Sequence, residues 1–159
     1  MSMLDERQRR LIDQELGEID ALLDRSQNLL SVSDDETPPF ERLAALSHIL
    51  NSFYTGLERV FERITGQVDK SIPEGDRWHA ELLGQVAKST SNRIAVISKE
   101  SRTRLREYMA FRHRSRHAYA HHLEWVPMQH LVEQLMDTWR RVHSDIQGFL
   151  AEGVNDSID

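Results

Sequence analysis

The sequence predicts an all-α fold, an antiparallel bundle of four long helices and one short helix. Three observations predict it. Apolar residues recur at helical spacing along most of the chain. Gly and Pro are few, seven and four in 159 residues, and the prolines fall at or between the ends of the periodic segments. No stretch shows the apolar–polar alternation of a strand, and no internal repeat is evident. At this length one domain is expected, assigned to residues 1–152, followed by a flexible tail over 153–159.

The first helix is read from Leu4 to Leu30, with Leu11, Ile12, Leu16, Ile19, Leu22 and Leu23 on one stripe. It stops in the polar run Ser31-Val-Ser-Asp-Asp-Glu-Thr-Pro-Pro. Thr37 and the prolines start a second helix, because proline is tolerated in a first turn. Its apolar stripe runs from Leu43 through Leu50, Phe53 and Leu57 to Ile64, and Gly66 lies where a C-cap is expected. Asp76 is the expected N-cap of a short third helix, Arg77 to Lys88, with Trp78, Leu82, Leu83 and Val86 inward. Residues 89–97 read as a loop or a turn of helix. Ser98 caps a fourth helix from Lys99 to about His121. Pro127 marks a break. The last helix carries Leu131, Leu135, Trp139, Val142, Ile146 and Phe149, and the tail from Gly153 is expected to fray.

Composition narrows the function. The chain has no cysteine, which removes disulfides, thiolate catalysis and Cys-based zinc sites. No apolar run approaches the length of a membrane span, and the charged start has no secretory apolar segment. A cytoplasmic protein with no membrane contact is expected. Basic side chains are 17 Arg to three Lys. That bias suits phosphate contact or buried ion pairing, and equally a GC-rich genome.

Charge is distributed unevenly. The net charge is −6, yet residues 99–122 hold seven Lys/Arg against two Glu. Within Phe111–His122 stand three Arg, four His and one Tyr. Guanidinium groups hold phosphate well, and imidazole moves protons near neutral pH. Arg112 and His117 have the spacing R-x4-H, and Tyr119 follows two residues later.

These side chains match the needs of RNA cleavage without a metal. A base takes the 2′-hydroxyl proton, a cation stabilises the transition-state phosphate, and an acid protonates the leaving 5′-oxygen. His117 can act as base or acid, and Arg112 can hold the phosphate. His113 is the natural second imidazole, with Arg114 and Arg116 for neighbouring phosphates. The 2′-hydroxyl is itself the nucleophile, so no cofactor is expected.

Helix geometry sets a condition. At about 100° per residue, Arg112 and His117 point roughly 140° apart, whereas Arg112 and Tyr119 lie within roughly 20°. His113, His117 and His121 share a face. Either the helix bends or ends near here, or a second copy completes the site in a symmetric homodimer.

With its trailing x-Y, the Arg112–His117–Tyr119 motif resembles that of the HEPN superfamily, and more closely its HepT-like toxins. The segment from Ala45 to Ile64, containing Phe53-Tyr-Thr-Gly-Leu-Glu-Arg59, resembles the family's second helix. Pro73-Glu-Gly-Asp-Arg-Trp-His-Ala-Glu-Leu-Leu83 resembles the segment after it. The resemblance covers most of the chain. It implies an all-α homodimer that cleaves RNA without metal, in a type VII-like toxin–antitoxin pair. It also implies a minimal nucleotidyltransferase antitoxin that transfers AMP from ATP to the motif tyrosine, here Tyr119. Many HEPN proteins carry Asn directly after the motif Arg, where this chain has His113, which leaves open what orients the phosphate.

Plainer roles stand beside these. Arg112 and His117 also fit a buried structural pair, and Tyr119 a packing aromatic. The aligned histidines fit a metal-binding helix, although no metal site is expected. His48 and His79 read as surface or interface residues rather than catalysts. Tyr54, Glu58 and Arg59 fit packing and ion pairing or the lining of a dimer cleft, and Trp78 and Trp139 the core. Arg102, Arg104 and Arg106 fit a solvated face, with Glu100 and Glu107 as partners, or an RNA groove. A non-catalytic nucleotide- or partner-binding subunit of a nucleotidyltransferase complex is the main alternative to the enzyme.

Overall fold

The computed structural model describes residues 4–31 and 37–155, with side chains to residue 152. It shows six α-helices and no strand among those residues: α1 (Glu6–Arg25), α2 (Gln27–Leu30), α3 (Phe40–Ile64), α4 (Trp78–Val86), α5 (Lys99–Ser115) and α6 (Trp125–Asn155). The all-α bundle is as expected. Its sixth element arises because the expected first helix splits at Ser26.

Asp5 starts α1 by accepting the Gln8 N–H at 2.7 Å. Ile12, Leu16, Ile19 and Leu23 fall on one face and are buried. Ser26 turns its hydroxyl back onto the Leu22 carbonyl at 2.6 Å, and its own N–H is shared between Leu22 and Leu23. This local bonding competes with continued helix. The short α2 is then closed by Arg42, whose Nη2 donates to the carbonyls of Asn28, Leu29 and Ser31.

The α3 helix is the hub and packs against all five other helices. Every apolar residue of its expected stripe is buried. Gly56 permits the closest approach, since a Cβ there would lie 2.9 Å from Ile19 Cγ1 of α1. Helix starts at Phe40, with Pro39 as N-cap, rather than at Thr37.

Gly66 does not cap this helix. The chain continues into a π-helical turn, Thr65–Asp69, and stops at Lys70, which takes the left-handed conformation (φ 59°). The stop is held by tertiary contacts. Asp69 accepts from Arg93 Nε at 2.6 Å and Nη2 at 2.8 Å, and from Gln85 Nε2 at 2.7 Å. Arg93 also donates to the carbonyls of Gln85, Lys88 and Ile94, which orders the loop over 89–97.

Arg77, not Asp76, occupies the N-cap of α4, without a side-chain cap. Trp78 is half-buried and lines a cleft instead of entering the core. Ser98 caps α5 as expected, accepting from Ser101 N–H at 3.1 Å. Both serines are tied to Asp145 of α6.

Tyr108 anchors α5 by donating to the Leu131 carbonyl at 2.7 Å, and Phe53 packs edge-on against Tyr108 and Trp139. The six expected core positions of α6 are all buried, and Trp139 Nε1 donates to Asp20 of α1 at 2.6 Å. Pro127 breaks nothing: it is the third residue of α6, where the N–H has no helical partner to lose. The expected tail over 153–159 is helical to Asn155, and residues 156–159 lie outside the described residues.

Candidate functional site

The expected fourth helix is too long. The observed α5 ends at Ser115, six residues before His121. Phe111 and Arg112 are the last buried residues until Trp125, so nothing further packs a continued helix onto the bundle. Arg112, His113 and Arg114 fill its last turn, where the helix dipole favours positive charge. Ser115 Oγ donates to Asn51 of α3 at 3.1 Å. Beyond it, Tyr119 is extended and Ala120–His122 form one 3₁₀ turn that approaches α3.

This ending removes the face shared by His113, His117 and His121, and the alignment of Arg112 with Tyr119. Among the described residues, no three His, Asp or Glu side chains gather as a possible metal site.

Arg112 is 8% exposed and is held mainly by α3. Its Nη2 donates to both Glu58 oxygens, at 2.9 and 3.0 Å, and Nη1 donates to Thr55 Oγ1 at 3.1 Å. Its guanidinium carbon lies 4.7 Å from the centre of the Tyr54 ring. Thus Arg112 is a buried structural pair with Glu58, not with His117, which is exposed. Tyr54 and Glu58 face the site, but Arg59 points away and pairs with Glu15 at 3.4 Å.

His79 of α4 completes this cluster. Its Nδ1 lies 2.7 Å from Glu58 Oε2 and 3.0 Å from Arg112 Nη2. One ring nitrogen cannot donate to the first and accept from the second. The shorter contact is to the carboxylate, the stronger acceptor, so we assign the Nδ1 proton to the bond with Glu58. The Trp78 ring lies against His79, with centroids 3.7 Å apart.

Burial and then the Glu58 charge raise the Tyr54 hydroxyl well above its ordinary value, against an opposing pull from Arg112. One turn along α3, burial and then Glu58 raise the Glu62 carboxyl, while His79, Arg59 and Arg112 lower it.

Two adjoining clefts open on this cluster. A cleft of about 540 Å³ is lined by Trp78, His79, Arg112, His113, Arg116 and His117, among others. A second, of about 320 Å³, shares Trp78, His79, Arg112 and Arg116 and adds Asn51, Thr55 and Glu58. The structure therefore brings His113, Arg116 and His117 to the same cleft as Arg112. Arg114 is exposed and lines neither cleft. Tyr119 also lies outside both, 73% exposed, with its ring stacked on His121 at 5.6 Å.

Upstream, Arg104 pairs with Asp137 rather than with Glu100 or Glu107, and Glu107 meets His130. Arg102, half-buried beside Gly84, and the exposed Arg106 have no ion pair among the described residues.

The profile of a family described as "HepT-like protein" matches residues 45–152, well over half of the chain. The chain belongs to the HepT-like family. No curated protein and no solved structure matches it. The family match begins within α3 and runs into α6, so it contains every cleft-lining residue named above and leaves out α1 and α2. Among the described residues of this HepT-like protein, no helix is long and apolar enough to cross a membrane.

His79 and Thr55 are the site residues that sequence reading did not select. The available signals were Thr55 and Glu58 within a mostly apolar stripe, and the pairing of His79 with Trp78. Neither signal is specific without the contact to Arg112.

Proposed function

We propose that this HepT-like protein is a toxin endoribonuclease that cleaves RNA without a metal. Its products are a 2′,3′-cyclic phosphate and a 5′-hydroxyl. The observation that carries the reading is the cleft in which Arg112, Arg116 and His117 meet. In this reaction the ribose 2′-oxygen attacks phosphorus and the bond to the 5′-oxygen breaks. Arg116 is exposed and has no ion pair among the described residues, so it is free to meet phosphate. Arg112 uses one N–H of Nη1 on Thr55, and the second has no partner among the described residues. Glu58 and Thr55 hold the fork still, so a phosphate meets a preset donor. A symmetric homodimer would place a second basic segment beside the first and suit an extended RNA backbone.

Control is assigned to Tyr119. A minimal nucleotidyltransferase antitoxin supplies AMP from ATP. The Tyr119 oxygen attacks the α-phosphorus, the bond to pyrophosphate breaks, and the phenol proton is released. Exposure of Tyr119 on extended backbone supports its access to such an enzyme. The added phosphate would compete with RNA for the neighbouring cations.

A second reading is favoured by the burial of Arg112 against Glu58: a non-catalytic nucleotide- or partner-binding subunit. The two separate by assay. Unmodified protein, verified by intact mass, is expected to cleave RNA in EDTA, and His117→Ala to lose that cleavage. Absence of cleavage across varied RNAs would favour the binding subunit.

A further inference from the structure

We infer that His79 is the second acid–base residue of the site, with Glu58 as the residue that positions it. The inference rests on the ribonuclease reading and completes it, because His117 alone supplies one imidazole where the reaction needs both a base and an acid. Among the sequence candidates, His113 is exposed and lines the cleft, but no hydrogen bond fixes its ring among the described residues. His79 is fixed twice. Its Nδ1–H is committed to Glu58 at 2.7 Å, and its ring lies against Trp78. Glu58 is itself locked by both contacts to Arg112 Nη2.

Committing Nδ1–H to a carboxylate leaves Nε2 as the ring's acceptor. Nε2 has no partner among the described residues, and His79 lines both clefts. A carboxylate behind one nitrogen both sets the tautomer and stabilises the imidazolium formed when the other takes a proton, as in hydrolase triads. His79 is therefore the base and His117 the acid. Neutral His79 takes the 2′-hydroxyl proton at Nε2 as the 2′-oxygen bonds to phosphorus. The bond from phosphorus to the 5′-oxygen breaks, and protonated His117 gives that oxygen its proton. Both imidazoles return to their starting states by exchanging protons with water. The charged and titratable groups around His79 are Glu58 and Glu62 of α3, Asp76 and Arg77 just before α4, Arg112 and His113 of α5, and Arg116 and His117 beyond its end.

The test compares wild type, His79→Ala, His79→Gln and His117→Ala for RNA cleavage in EDTA across pH. RNA affinity is measured by fluorescence anisotropy, and folding by circular dichroism. Wild type should give a bell-shaped rate profile. Both His79 variants should keep RNA affinity and lose roughly 10²–10⁴-fold in rate, with the acidic limb flattened. His79→Gln keeps a polar side chain of similar reach and covers the case in which His79→Ala does not fold. A His79 variant at the wild-type rate, beside an inactive His117→Ala, overturns the role of His79 alone. So does a slowed variant that retains both limbs. No cleavage by wild-type protein overturns the ribonuclease reading, and the assignment of His79 with it.

Discussion

Arg112 and Glu58 form a buried ion pair in which one guanidinium nitrogen meets both carboxylate oxygens, at 2.9 and 3.0 Å. The pair joins the end of α5 to the middle of α3, with both side chains under one-tenth exposed. It therefore serves the fold as well as any reaction. Removing either partner leaves a charge buried without its counter-ion. Arg112→Ala and Glu58→Ala are each expected to cost about 3–5 kcal/mol, read from urea unfolding. The double variant should cost less than the two together, because each single change removes the same interaction. Strict additivity would show that the pair contributes nothing as a unit.

His117 should behave oppositely. It is exposed beyond the end of α5 and makes no side-chain hydrogen bond or ion pair among the described residues. His117→Ala is expected to change stability by less than about 0.5 kcal/mol. Its RNA cleavage should fall by about 10²–10⁴-fold. A large stability loss with cleavage intact would identify His117 as structural.

Tyr119 separates modification from cleavage. Because Tyr119 is exposed, Tyr119→Phe should fold as wild type does and match it in the proposed RNA cleavage. After co-expression with the proposed nucleotidyltransferase antitoxin, wild-type protein should gain the mass of one or more AMP units, and Tyr119→Phe should gain none. Modification of the variant at another residue would reassign the switch.

Asp69 predicts an acid dependence of stability. Burial raises its carboxyl, but the hydrogen bonds from Arg93 and Gln85 and the Arg93 charge outweigh it, and the carboxyl lies below its ordinary value of 3.8. A carboxyl lowered in the folded state contributes stability above the unfolded value. That contribution is lost as pH falls below about 4 and through the lowered folded value. Urea midpoints should therefore fall in this window, and Asp69→Asn should remove that part of the pH dependence. An identical acid slope in the variant would show that Asp69 does not supply it.

Gly56 tests the α1–α3 contact. A Cβ at Gly56 would meet Ile19 Cγ1 at 2.9 Å in the buried core. Gly56→Ala should cost about 1–3 kcal/mol through overpacking, despite the better helix propensity of alanine. Pairing it with Ile19→Val should recover part of the loss by clearing space. A stabilised single variant would show that α1 yields easily.

The helices were legible because burial repeats at helical spacing. Ile12, Leu16, Ile19 and Leu23 in α1, and Leu131 through Phe149 in α6, declare their inward faces by period alone. Ser98 was legible as a cap because its hydroxyl bonds within one turn. The positions that misled were those decided at long range. Gly66 has the right character for a C-cap, yet Arg93, distant in sequence, holds the chain to a stop at Lys70. His113, His117 and His121 align only if α5 continues, and helix propensity does not show that the apolar partner surface ends at Phe111.

The sequence by itself determined the all-α bundle, the inward face of each long helix and the concentration of Arg and His between Phe111 and His122. Those properties follow from residue type and local period. Only tertiary structure decided that Arg112 turns inward to Glu58, that His117 leaves the helix to share its cleft, and that His79 meets Glu58 and Arg112 in the same cleft. Those three relations depend on where α3, α4 and α5 cross. The crossing is set by the combined packing of Phe53, Tyr108 and Trp139, and of α4 against α3, which no single segment encodes.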